Sequence, residues 1–209
     1  MQMTQGRFES LFSAERLSTY LSHCDGNFDA AVRLYRRNAA DAAAFWRPVG
    51  HLEVAIRNAL SNQIARRHNR LGRSETWLDD PDRELTTRAR AVIQAARTRV
   101  NTKGKQASYS QTISELSFGF WRFLIAKRST AIWPDLASAF PNAPDRKLET
   151  VEAPVSRIYE FRNRLAHHEP IWNRDPQSRY DDVMMCASYI DSALPEWIEA
   201  DQTRYDLFR

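Results

Sequence analysis

Cysteine is scarce in this chain. Its 209 residues include two, Cys24 and Cys186, and they lie far apart. That spacing argues against a disulfide scaffold and fits a reducing compartment. Neither has another cysteine nearby, so a zinc site of ordinary spacing is not expected. Glycine is rare too, at six residues, and no Gly-rich phosphate loop occurs. Runs of β-branched residues are few, and no strand-like alternation persists. No apolar run approaches the ~18 residues that a membrane-spanning helix needs. The opening MQMTQGRFESLFSAERLSTY holds no apolar signal-peptide core. The expected location is therefore the cytoplasm, with no membrane partner. No repeat with a period of roughly 20–50 residues is present, which excludes solenoid folds.

What is present points to a helical fold. Hydrophobic residues make up 43%, with 6 Trp, 7 Tyr and 10 Phe, too apolar for a disordered chain. Ala, Leu, Arg and Glu dominate long stretches and favour helix. The net charge of +4 is a modest excess and by itself a weak pointer to a polyanionic partner.

Patterning sharpens this into elements. FESLFSAERLSTYLSHCDGN reads as one or two short helices stopped at Asp25-Gly26. Asn27 is placed to cap the next helix, and Pro48 is expected to kink or break it. Beyond Pro48, Val49, Leu52, Ile56, Ala59, Leu60 and Ile64 recur at helical spacing. Residues 69–82 read as a loop. The next stripe is Leu85, Ala89, Val92, Ile93, Ala96 and Val100, followed by the loop-like NTKGKQAS. Breaks are expected at Gly119, at Pro134 and near Pro154, the last within a helical stretch over 145–168. A final helix runs from about Arg179 to Leu194 with a frayed tail. The expected fold is all-α, a single-domain bundle of about six to eight helices, with residues 1–26 as an N-terminal helical extension.

The densest chemistry lies in FRNRLAHHEP, residues 161–170. Pro170 cannot continue a helix and biases Glu169 out of helical geometry, so the helix is expected to end near His168. Asn163 and His167 then share a face, as do Arg164 and His168. Arg162 and His167 stand about 140° apart on an ideal helix. This is the inventory that RNA cleavage by internal transesterification needs. A base takes the 2′-OH proton, an acid protonates the departing 5′-oxygen, and a cation stabilises charge on the phosphorus oxygens. Histidine, with a reference pKa of ~6.5, suits the first two roles. The forked donors of arginine suit the third. The scheme calls for no metal and no cofactor. A nucleophile supplied by the 2′-OH makes the chemistry specific to RNA.

Arg162-Asn163-Arg164-Leu165-Ala166-His167 resembles the R-x4-H motif of HEPN ribonuclease domains. FRNRLAHHEPIW is similar to the corresponding segment of the Abi-like (abortive infection) family of bacterial anti-phage proteins. AFWRPVGHLEVAIRNAL, residues 44–60, and TISELSFGFWRFL, residues 112–124, resemble two further segments of that family. The likeness covers about residues 30–195. It implies an all-α domain that homodimerises, so that two motifs face one cleft and cut RNA. On that basis Arg162 binds the scissile phosphate, His167 is acid or base, and Asn163 orients one of them. His168, six residues after Arg162, fits a spacing that some of these motifs use and is the alternative histidine, or else a cationic helix cap. Glu169 stands where some HEPN toxins carry a tyrosine that an antitoxin enzyme modifies, which puts that route of regulation in doubt. An antitoxin or a phage-derived trigger remains an implied partner.

Glu53 and Arg57 are four apart, the spacing of a helical ion pair, and Arg57-Asn58 echoes Arg162-Asn163. Glu53, Arg57 and Asn58 are therefore expected to support the motif, with His168 and Glu169. Arg66, Arg67, Arg70 and Arg73, and then Lys103 and Lys105 with Arg97 and Arg99, are candidates for a phosphate-tracking surface. Phe118, Phe120, Trp121 and Phe123 read as core or dimer interface sooner than base-stacking rings. Trp172 is left open between packing on the motif helix and contacting a base. A non-catalytic module of the same family, binding RNA or a protein partner as a sensor, is the alternative function.

Overall fold

A computed structural model describes residues 3–102, 104, 108–127 and 130–204, with 201–204 as backbone alone. The described residues form helices and no strand. In chain order these are α1 (Gln5–Phe12), α2 (Ala14–His23), α3 (Phe28–Arg70), α4 (Thr87–Thr102), α5 (Tyr109–Glu115), α6 (Phe118–Leu124), α7 (Trp133–Leu136), α8 (Leu148–Ala166), α9 (Pro176–Ile190) and α10 (Leu194–Arg204).

The 43 residues of α3 set the axis of the fold, spanning about 65 Å at 1.5 Å per residue. Asn27 caps it, its side-chain oxygen accepting the Ala30 N–H at 3.0 Å. The break expected at Pro48 does not occur, since α3 runs straight through that residue in sequence. Proline removes one N–H bond, but Pro48, Val49, Leu52, Ile56 and Leu60 are all buried, and that packing offsets the loss. The same correction applies to Pro154, buried inside a continuous α8. Pro134 opens α7 instead of breaking it. Gly119 lies within α6, and the interruption comes earlier, at Leu116 and Ser117. The last expected helix is α9, and the tail expected to fray beyond it forms α10.

The main core gathers the inner stripe of α3 with Val151, Val155, Ile158 and Leu165 of α8, Trp121 of α6 and Val183 and Ala187 of α9. Each fully buried aliphatic side chain contributes about 1.5–3 kcal/mol. Phe118 and Phe120 join that core, while Phe123 is half-buried. A Cβ on Gly119 would sit 3.2 Å from the Tyr159 hydroxyl, so glycine permits this close approach of α6 to α8. Cys186 is fully buried, and burial pushes its thiol far above the ordinary value, so it is no nucleophile.

The hairpin α1–α2 carries a second, smaller core of Phe8, Leu17, Tyr20 and Ala31 against the first turns of α3. Trp172 packs at its edge, with the His23 ring 4.2 Å away. Trp172 thus turns toward α2.

Candidate active site at the end of the eighth helix

Alternation of apolar residues along α8 decides where its charges go. Phe161 and Leu165 are buried, so Arg162 and Arg164 emerge at the flanks of that stripe. Arg162 reaches α3. Its Nε donates to Glu53 Oε1 at 2.7 Å, and its guanidinium lies 5.4 Å from the centre of the Trp46 ring. Carboxylate and ring together fix the plane of the guanidinium. The bond engages Nε, and no described hydrogen bond uses the two terminal nitrogens.

Glu53 thus bonds to Arg162 of the motif and not to Arg57. The expected pair with Arg57 is not formed. The Nε of Arg57 is buried without a hydrogen-bond partner among the described residues, and Asn58 is exposed. A tertiary partner displaced the local one because Arg162 offers its charge across the α3–α8 interface.

The helix ends two residues earlier than expected, at Ala166, with His167 as C-cap. His168 follows in the left-handed conformation at φ 53°. Its N–H donates to the Leu165 carbonyl at 3.1 Å, and the Glu169 N–H donates to the Arg164 carbonyl at 2.9 Å. These are the two bonds of a Schellman motif, with histidine where glycine is usual. An apolar contact commonly closes such a motif. Here Arg164 and Glu169 close it as an ion pair at 3.0 Å. The His168 carbonyl accepts from Arg16 of α2 at 2.5 Å. Asn38 of α3 grips the next stretch, donating to the Glu169 carbonyl at 3.2 Å and accepting the Ile171 N–H at 2.8 Å.

The result is an exposed His167 on a tightly held turn, with Arg162 held on the helix behind it. The described hydrogen bond between Asn163 and His167 is a backbone one, from the His167 N–H to the Asn163 carbonyl at 3.0 Å. His168 and Glu169 are committed to the turn. An open cleft of about 510 Å³ between α3, α9 and the segment after the motif is lined by Phe45, Ile171, Trp172, Gln177 and Tyr180, with Arg162 and His167 outside its lining.

The basic stretch at the end of α3 does not present a free cationic surface. Arg67 pairs with Glu84 at 2.6 Å and Asp135 at 3.0 Å. Arg70 also binds Asp135, and Arg73 binds Asp82 and Glu84. Arg97 and Arg99 are paired with Asp79 and Glu115. The carboxylates come from other segments and neutralise the patch, so the expected phosphate track is corrected at these residues. Arg66 is exposed. Lys103 and Lys105 lie outside the described residues.

Trp46, Asn38 and Arg16 are contributors that the sequence did not single out. Nothing in their spacing marks them, because each acts on a residue far along the chain. No family model, curated protein or solved structure matches this chain. Among the described residues, no three His, Cys, Asp or Glu side chains gather as a group able to hold a metal ion.

Proposed function

We propose that this chain is an Abi-like, HEPN-type endoribonuclease, acting in abortive infection of phage-infected cells or as a toxin. The observation that carries the reading is the Arg162 guanidinium, fixed through Nε by Glu53 and through its face by Trp46, with its terminal N–H groups left for an anion. A forked donor held in one plane suits the two non-bridging oxygens of a phosphodiester.

In the proposed reaction the RNA 2′-oxygen attacks the adjacent phosphorus as a base removes its proton. The bond from phosphorus to the 5′-oxygen breaks, and an acid protonates that oxygen. The products are a 2′,3′-cyclic phosphate and a 5′-hydroxyl. His167 takes one proton-transfer role, and the partner subunit's His167 takes the other in a homodimer cleft. Asn163 orients the phosphate or the histidine. The chain's own groups supply each role, so the reading needs no metal.

The test is cleavage of single-stranded RNA in EDTA, beside the same sequence carrying 2′-O-methyl groups. Cyclic-phosphate ends from the first and no cutting of the second are expected. Equal cutting of both would overturn the mechanism.

One observation favours a second reading. Glu53 already offsets the charge of Arg162, which suits holding a phosphate without turnover. A non-catalytic module that senses RNA or a protein partner would then bind RNA equally well with His167→Ala.

A further inference from the structure

Arg88 and Arg122 differ from the ion-paired arginines of this fold. Arg67, Arg73, Arg97, Arg157 and Arg162 each hold a carboxylate. Arg88 and Arg122 hold none among the described residues. Both guanidinium groups instead lie over one ring, Phe123, at 4.9 and 5.5 Å from its centre. Arg122 also lies 5.7 Å from the centre of the Tyr159 ring and donates from Nε to Ser156 Oγ at 3.2 Å. Stacking engages the flat face of a guanidinium and leaves its N–H edge for an anion.

Those rings border a cleft of about 250 Å³ between α4, α6 and α8. Leu85 and Val92 wall one side, Phe120, Phe123 and Tyr159 the other, and Arg88 stands in the lining. Glu84 is the acid in that lining, and its carboxylate is turned to Arg67 and Arg73. Two cations against one ring, with the neighbouring acid engaged elsewhere, leave the mouth positive above an apolar floor. The volume falls below the ~300–1,000 Å³ of drug-sized sites, which limits an occupant to one or two rings. The missing Cβ at Gly119 lets the Tyr159 ring, which lines the cleft, lie against α6.

We propose that this cleft binds a small planar aromatic acid. Its ring lies against Phe120 and Tyr159, and its anionic head meets Arg88 directly, with Arg122 adding positive potential. The site is separate from Arg162, which faces α3, and its occupancy does not depend on ribonuclease activity.

The test is calorimetric titration of the full chain with 2-naphthoate and with its neutral isostere 2-naphthylmethanol. The acid is expected to bind at least about tenfold more tightly. Arg88→Gln, at an exposed position whose described contact is the stack on Phe123, is expected to weaken the acid by about tenfold and leave the alcohol unchanged. Gly119→Ala, which presses on the Tyr159 hydroxyl, is expected to weaken both. No binding of the acid, equal binding of acid and alcohol, or an Arg88→Gln variant that binds the acid like wild type would each overturn the proposal.

Discussion

The side-chain oxygen of Asn38 accepts the Ile171 N–H at 2.8 Å, and its amide donates to the Glu169 carbonyl at 3.2 Å. One buried side chain on α3 thereby satisfies the backbone on both sides of Pro170. Asn38 has 4% of its surface exposed and Ile171 none, so the Ile171 N–H would be left buried without this partner. Asn38→Ala is expected to cost about 2–3 kcal/mol, the loss of a buried bonding partner for two groups. Urea unfolding checks it, and a loss under about 0.5 kcal/mol would contradict it.

His168 holds the left-handed position of the turn, at φ 53°. A residue with a Cβ is strained there by about 1 kcal/mol, and glycine is not. His168→Gly should therefore leave stability unchanged or raise it by up to about 1 kcal/mol, while His168→Val should lower it by more than that. Thermal unfolding of the pair of variants decides this.

The Arg162–Glu53 pair has side-chain exposures of 30% and 21%, so solvent screens it. Glu53→Gln should lower stability by less than about 1 kcal/mol. It should reduce RNA cleavage on the order of tenfold to a hundredfold, because the guanidinium loses its fixed plane. Stability and rate measured on one preparation separate a positioning role from a structural one.

Glu84 gives a pH signature. A hydrogen bond from Arg73 holds its carboxyl below the ordinary value of 4.5, against the opposing effect of burial, with Arg67 adding to the lowering. A depressed folded value means that the stabilisation is present above pH 4.5 and is lost as pH falls through the folded value. Glu84→Gln should therefore be less stable than wild type at pH 7, and the gap should close in acid. Urea midpoints at pH 7 and pH 3 test it. A gap that stays constant would contradict it.

The helical fold was legible in the stripe Val49, Leu52, Ile56 and Leu60, because period and burial agree there. Pro48 and Pro154 misled because local rules weigh one missing bond and cannot weigh a buried flank. The motif at Arg162 and His167 was visible as a cluster of ionisable residues on a helix end. Its supports were not. Arg16, Asn38 and Trp46 act over long sequence separations, and the i,i+4 pairing of Glu53 with Arg57 was displaced by Arg162. The cations at Arg67, Arg70 and Arg73 looked free because their carboxylates, Asp82, Glu84 and Asp135, come from other segments.

The most direct measurement is RNA cleavage in EDTA by wild type, Arg162→Ala and His167→Ala, each shown to be folded by circular dichroism. A reaction centre at these residues predicts cutting by wild type and a loss of at least about a hundredfold in both variants. Cutting at the wild-type rate by either variant would contradict it.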